Sequence, residues 1–468
     1  MGRVVMIGGG LVGSLTAMML ARDGHDVEIF ERDASIGVEP QAAWHEWDRK
    51  GVGQFRLPHY LLPRLRSVLD AELPDVAACI AANGGLRFNM IDKVPTAVSG
   101  GRREGDERFE TLTGRRPFVE ACVRSILESH DGITVSRDTA ITGLLASPVP
   151  GREGIPHVYG VRTERGDDVV ADLVVDACGR RSVVPDWLRS IGSTGPAEDV
   201  ADSGFRYYSR HFRSSDGSHP PMRSGLNVPI GTIGVLTLPA DNGTWGCVIT
   251  TSAGDRELRA LADAETFSRV WSLLPAHAHW LDGEPIDDVT TFAKIEDRRR
   301  RYVVDDRPVV TGLVPIGDSW ACTNPSLGRG ISFGALHGQL LRDTLRDTGF
   351  SEPYNVVVEF AERAERDVAP YVEDTLNYDR HRLAEIDALR AGRPYETDDP
   401  AWNIAGALRR AASATPELFR GSMDVVSLLE RGSAVVGRPG LFQSVLDHDT
   451  AETPAVSREQ LVAAVSVG

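Results

Sequence analysis

Lysine is almost missing from this chain: only Lys50, Lys93 and Lys294 occur, and arginine carries the rest of the non-histidine positive charge. That bias reflects genome composition and carries no functional weight. A formal net charge of −16 leaves no basic excess to neutralise phosphate, which argues against nucleic acid and anionic membrane as partners. No apolar run approaches the roughly 20 residues of a membrane span. The apolar N-terminus is interrupted by glycines and followed by charge, so it reads as a strand rather than a signal peptide. The five cysteines (Cys79, Cys122, Cys178, Cys247 and Cys322) are scattered and odd in number, with no metal-ligand spacing. They suit a reduced, cytoplasmic setting and no metal site. His277-Ala278-His279 lacks a third ligand within reach. No Ser-His-Asp set or paired acid offers chemistry of its own, which leaves the chemistry to a cofactor.

What is present begins at once. Arg3-Val4-Val5-Met6-Ile7 is a buried-strand run, followed directly by Gly8-Gly9-Gly10-Leu11-Val12-Gly13, the G-x-G-x-x-G spacing. A helix over residues 14–23 stops at Gly24, and a second strand over 26–30 delivers Glu31. Gly8 permits the tight turn, Gly10 lets a pyrophosphate approach the backbone, and Gly13 lets helix and strand pack closely. The helix N-terminus offers N–H groups and partial positive charge to phosphates. Glu31 can accept both ribose hydroxyls and disfavours a 2′-phosphate, so FAD or NAD fits.

Further along, helices are expected over 62–73 and 118–128, and strands over 132–135, 140–145, 157–163 and 168–176. Residues 200–305 alternate short strands such as 232–238 and 244–251 with a helix over 258–274. A strand over 309–316 and a helix over 331–347 precede a helical region from 354, with loops at 392–400 and 432–440 and a loose tail over 451–468. Arg298-Arg299-Arg300-Arg301 reads as a solvated strand face. Of Tyr208, Arg210 and His211, each suits a satisfied surface role better than a substrate contact.

The second informative motif joins Gly317-Asp318-Ser319 to Asn324-Pro325-Ser326-Leu327-Gly328-Arg329-Gly330-Ile331. A carboxylate ends a strand, and a Pro-containing turn opens a helix whose N–H groups point at whatever precedes it. A positive helix end there stabilises the negative N1–C2=O edge of a reduced flavin.

With these motifs the chain resembles the FAD-dependent monooxygenases of the aromatic-hydroxylase and styrene- or polyether-epoxidase group, over roughly residues 3–345. Residues 52–59, Val-Gly-Gln-Phe-Arg-Leu-Pro-His, look like that group's Pro-Gln-x-x-His-x-His segment, with Gly53 where proline is usual. Arg116-Pro117 opens a helix as the family's FAD-contacting arginine does. The Asn-Pro-x-x-Gly-x-Gly form is nearer the epoxidase branch. The resemblance implies a Rossmann-like α/β domain with a parallel sheet that binds FAD, in three pieces (1–75, 110–200 and 305–350). An inserted mixed-sheet substrate domain would comprise 76–109 and 201–304, with a helical C-terminal region over 351–468. It implies cofactor contacts at Gly8, Gly10, Leu11, Val12 and Gly13, at Glu31 and Arg32, and at Arg116, Ile141, Ala177 and Gly179. Gly317, Asp318, Gly328, Gly330 and Ile331 complete that set. Arg329, His59 and Gln54 are the catalytic candidates beside the flavin.

The implied reaction places one oxygen of O₂ into an apolar or aromatic small molecule, by hydroxylation or epoxidation through a flavin C4a-(hydro)peroxide, in secondary metabolism. Cys178-Gly179 stands where aromatic hydroxylases carry Asp-Gly, so electrons come either from NAD(P)H directly or from a flavin reductase partner. Alternatives are a reductase or desaturase of the geranylgeranyl-reductase type and a non-catalytic carrier on a degenerate FAD fold. The halogenase branch is disfavoured, because no Trp-x-Trp-x-Ile-Pro segment and no lysine in matching context occurs.

Overall fold

A computed structural model describes residues 1–35, 38–149, 151–450 and 454–466. The β-branched runs near the N-terminus build a five-stranded parallel sheet in the order Leu313–Pro315, Leu173–Asp176, Arg3–Ile7, Asp26–Glu31 and Ile133–Arg137. Buried on both faces, these strands need continuous apolar sequence, and Val4, Val5, Met6, Val174 and Val175 are fully buried. The first helix spans Leu11–Arg22, starting three residues before the periodicity alone suggests, because Gly10 serves as its N-cap. It crosses the helix Gly330–Thr348, where Cβ atoms on Gly334 and Gly338 would lie 2.3 Å from Val12 and 2.8 Å from Thr16. Two glycines one turn apart thus let two helices far apart in sequence touch over the sheet.

The second layer is a six-stranded antiparallel sheet built around Ile233–Pro239, Thr244–Ser252 and Phe205–Arg213. Strict alternation sorts its faces. Tyr208, Val235, Cys247 and Ile249 pack behind it with Trp245, Trp271 and Trp280. Phe205, Tyr207, Leu236, Leu238 and Val248 form the opposite face. Arg115, just before the helix Arg116–Glu128, joins the layers: its backbone N–H and guanidinium donate to the buried Asp241 carboxylate at 2.6–3.1 Å.

Several expectations are corrected. The arginine run 298–301 is only partly solvated: it lies in the strand Glu296–Arg301, with Arg300 buried on Glu198 and the Ser319 carbonyl, and Arg299 paired with Glu365 and Glu373. His211 and Tyr208 are buried rather than at the surface; His211 donates to Asp287 through Nδ1 at 2.7 Å. The loop expected at 432–440 contains the helix Gly432–Val436. In the supposed loose tail, the helix Arg458–Ser466 seats Leu461 against the tryptophan core. Short amphipathic helices bounded by glycine carry too little periodic sequence to stand out alone.

Removing the Asp241 carboxylate strands a buried guanidinium. Asp241→Ala is expected to destabilise the chain by about 3–5 kcal/mol in denaturant unfolding, the usual cost of breaking a buried pair.

Candidate active site

The strand-to-helix turn at residues 8–13 is fixed by close contact. Gly8 has φ +107°, and a Cβ there would lie 2.6 Å from the Ala177 carbonyl oxygen. A Cβ on Gly13 would lie 2.3 Å from the Gly8 carbonyl oxygen, whereas one on Gly10 would meet nothing. The turn is therefore packed on its inner side and open at Gly10. No side chain caps the helix that follows, so its first N–H groups remain available to an anion.

This turn borders a cleft of about 1840 Å³ between the parallel sheet, the antiparallel sheet and the C-terminal helices. A pocket for one drug-sized ligand takes roughly 300–1,000 Å³, so the cleft has room for a dinucleotide and a second molecule. Every residue expected at the cofactor lines it except Gly317, and so do Arg329, His59 and Gln54. Gly317 is buried behind Val12, which a Cβ there would approach to 3.1 Å. Its place is under the first helix rather than on the cleft wall.

The carboxylates of the cleft differ in how fully they are satisfied. Glu31 already accepts the Gly9 N–H at 3.0 Å, the Asp33 N–H at 2.9 Å and the Arg49 guanidinium at 2.7 Å. Arg49 also bonds Glu120, which in turn holds Arg116. Burial works against Glu120's charge, but Arg116 and Arg49 hold its carboxyl below the usual range. Asp176, fully buried at the end of its strand, accepts the Ser182 and Ser319 hydroxyls and the Cys178 N–H. Ser319 accepts the Gly179 N–H at 2.9 Å, so Asp176 ties the 177–182 turn to the 317–319 turn.

Asp318 differs from these. It lines the cleft half-buried, and no group among the described residues donates a hydrogen bond to its carboxylate. Burial pushes its carboxyl up, against the pull of Arg116 and Arg180. A half-buried carboxylate facing an open cavity suits a hydroxyl-rich ligand, whose O–H groups would donate to it. Gly10 and the uncapped helix suit its pyrophosphate, so the residues present fit FAD.

The catalytic candidates are placed less evenly. Burial, then Arg116, lowers His59 to about 4. Its Nδ1 lies 2.7 Å from the Leu57 carbonyl, so a neutral ring keeps Nε2 as an acceptor. Arg329 is committed elsewhere: its guanidinium donates to Thr375 at 2.9 Å and to the Tyr371 carbonyl, on the helix Ala369–Arg390. Sequence reasoning missed Arg49, Glu120 and Asp176. The last stands beside the quoted Cys178-Gly179, and its strand-end position was the available signal. Arg180 was missed too; it lines the cleft with its guanidinium 5.3 Å from the Phe292 ring centroid.

Residues 6–60 match a family model described as an NAD(P)-binding Rossmann-like domain. Protein Rv3254 of Mycobacterium tuberculosis is 29% identical over 374 residues, 73% of this chain and 72% of the relative. Chloroplastic zeaxanthin epoxidase of Nicotiana plumbaginifolia is 28% identical over 207 residues, 44% of this chain; the match spans only 28% of that enzyme. Among solved structures, PqsL, a probable FAD-dependent monooxygenase from Pseudomonas aeruginosa, superposes with TM-score 0.60 at 16% identity, covering 84% of this chain and 98% of that one. The flavin-dependent brominase Bmp2 gives TM-score 0.59 at 14% identity, covering 95% of this chain and 98% of that one. At these identities the structural matches establish a shared fold and do not separate oxygenation from halogenation.

Because burial raises Asp318, its ionisation opposes folding, and the cofactor-free chain loses stability as pH rises from the ordinary carboxylate range through the raised value. Asp318→Asn should therefore leave the cofactor-free chain at least as stable as wild type at pH 7, by thermal melting. The same variant should weaken FAD binding about 10–100-fold by fluorescence titration, the loss of one or two charge-assisted bonds.

Proposed function

The chain has the fold of the FAD-dependent monooxygenases, oxidoreductase enzymes, and from that premise we propose that it binds FAD and oxygenates an apolar or aromatic small molecule. The observation that carries the reading is Asp318: a half-buried carboxylate without a protein donor, in the same cleft as an open, uncapped helix turn at Gly10. The pyrophosphate would lie on that turn, adenosine near Glu31 and Arg32, and the ribityl chain at Asp318. Bound FAD would supply two-electron redox chemistry and, once reduced, reaction with O₂.

The protein's own part is to bind, orient and exclude water. The flavin ring would lie near Gly328, Gly330 and Ile331, where the helix Gly330–Thr348 presents a second N-terminus free of side-chain caps. Beyond it the cleft is walled by Leu236, Leu238 and Val248 of the antiparallel sheet and by Met90, Met222 and Met423 from three separate segments. Such a wall suits an uncharged apolar substrate, and thioethers adapt to an aromatic one. Neutral His59 can accept a proton at Nε2. Arg329, bonded to Thr375, contributes charge to the cleft wall rather than a free hand to the substrate.

We infer that electrons come from a reductase partner or free reduced flavin. Cys178 directs its thiol to the Ile7 carbonyl, and burial raises it well above the ordinary thiol range, so it brings no charge to the turn. The test uses the FAD-loaded chain without oxygen, to which NADPH and then NADH are added while the oxidised-flavin absorbance is followed. The expected result is no rapid bleaching by either, with dithionite still reducing the flavin. Rapid bleaching would assign the donor to a pyridine nucleotide instead. A purified chain that stays colourless and retains no FAD would sink the function altogether.

A further inference from the structure

Behind the turn at residues 324–328 lies a buried polar cluster that cofactor binding alone does not explain. Asn324, 1% exposed, accepts the Tyr207 hydroxyl at 2.5 Å and donates from its side-chain amide to Asp379 Oδ1 at 2.9 Å. Its backbone N–H donates to Asp297 at 2.7 Å. Ser326 donates its hydroxyl to the same Asp379 oxygen at 3.2 Å. Asp379 is 2% exposed on the helix Ala369–Arg390, and its second oxygen has no partner. One carboxyl oxygen is thus used twice and the other is bare in a site without water access, an arrangement that disfavours the charge.

The groups facing Asp379 agree with that reading. Tyr207 comes from the antiparallel sheet, Asp297 from the strand Glu296–Arg301 and Arg329 from the turn itself, with Tyr378 on the same helix as Asp379. Burial, with Asp297 adding to it, lifts Asp379 to about 7 despite Arg329, and burial lifts Asp297 to about 6. Residues 322–331 line the cleft directly in front of this cluster. A ligand filling the cleft displaces water from that wall, and a dinucleotide adds phosphate charge to the same cavity. Both effects disfavour an ionised carboxylate behind the turn.

We propose that Asp379 is the positioning residue of the cofactor-facing turn, holding Asn324 and Ser326 in its protonated form, so that FAD binding draws a proton into the protein. The proposal rests on the FAD reading above. It assigns Asp379 no contact with cofactor or substrate; it acts through Asn324.

The experiment is calorimetric titration of FAD into the full-length cofactor-free chain, in buffers of different ionisation heat, from about pH 5 to pH 9. With Asp379 raised to about 7, wild type should take up a fraction of a proton near pH 7 and almost none near pH 5. Asp379→Asn keeps an Oδ1 acceptor for Asn324 and Ser326 and cannot titrate; its proton uptake near pH 7 should fall below that of wild type. Asp379→Leu removes the acceptor and should weaken FAD binding about tenfold at every pH. Unchanged uptake in Asp379→Asn overturns the proposal. So does wild type that binds FAD without exchanging a proton, a result that needs no variant to fold. Wild type that binds no FAD at all fails the function reading, and the proposal with it.

Discussion

The structure depends on one close approach of backbone to backbone. The Gly8 carbonyl stands between the first helix and the 176–179 turn, with no room for a Cβ on Gly13 and almost none on Gly8. Because three segments meet there, the contact sets where the helix N-terminus points and how far it stands from the strand ends. The neighbouring helix Gly330–Thr348 is set against the first by the same device at Gly334 and Gly338. Two helix N-termini are thereby brought to one cleft by the absence of side chains, with no bond formed for the purpose.

A second constraint closes the cleft from the other side, and it is ionic. Arg420 on the helix Pro416–Val426 bonds both Asp106 oxygens and the carbonyls of Ser99 and Gly101, and both members of the pair are buried. Arg64 donates to the Leu428 and Leu429 carbonyls. These contacts seat Phe419 and Met423 on the cleft wall. Each uses the fork of a guanidinium to reach two acceptors at once, which an ammonium cannot match geometrically. In a chain with three lysines, arginine is the residue that joins the C-terminal helices to the rest.

The Rossmann-like half was legible because its signals are local. A strand, G-x-G-x-x-G, a helix and an acid fall within 31 residues, each demanded by backbone geometry, and the structure reproduces them with the helix starting three residues earlier. The turn at 324–330 was legible for the same reason, since Asn-Pro and two glycines specify a conformation without reference to the rest of the chain. What escaped is pairwise and distant. Arg49 gains its meaning from Glu31 and Glu120, and Asn324 from Asp379, separated by 55 residues. Arg329 read as a cation beside the flavin turn, yet its guanidinium is claimed by Thr375, on a helix whose docking the sequence does not announce.

The acids bordering the cleft fall into a physical order that assigns their parts. Asp176 is buried and fully bonded, so it holds turns together. Glu31 is paired to Arg49 and holds two backbone N–H groups, so it fixes the chain around the strand end while keeping little acceptor capacity to spare. Asp318 has no protein donor and faces the cleft, so it is open to donors from a ligand. Asp379 has one satisfied oxygen and one bare one, so it is better served by a proton. A carboxylate removed from water must find charge, donors or a proton. Each of these four meets that demand differently, and Asp318 alone among them leaves it to be met from the cleft.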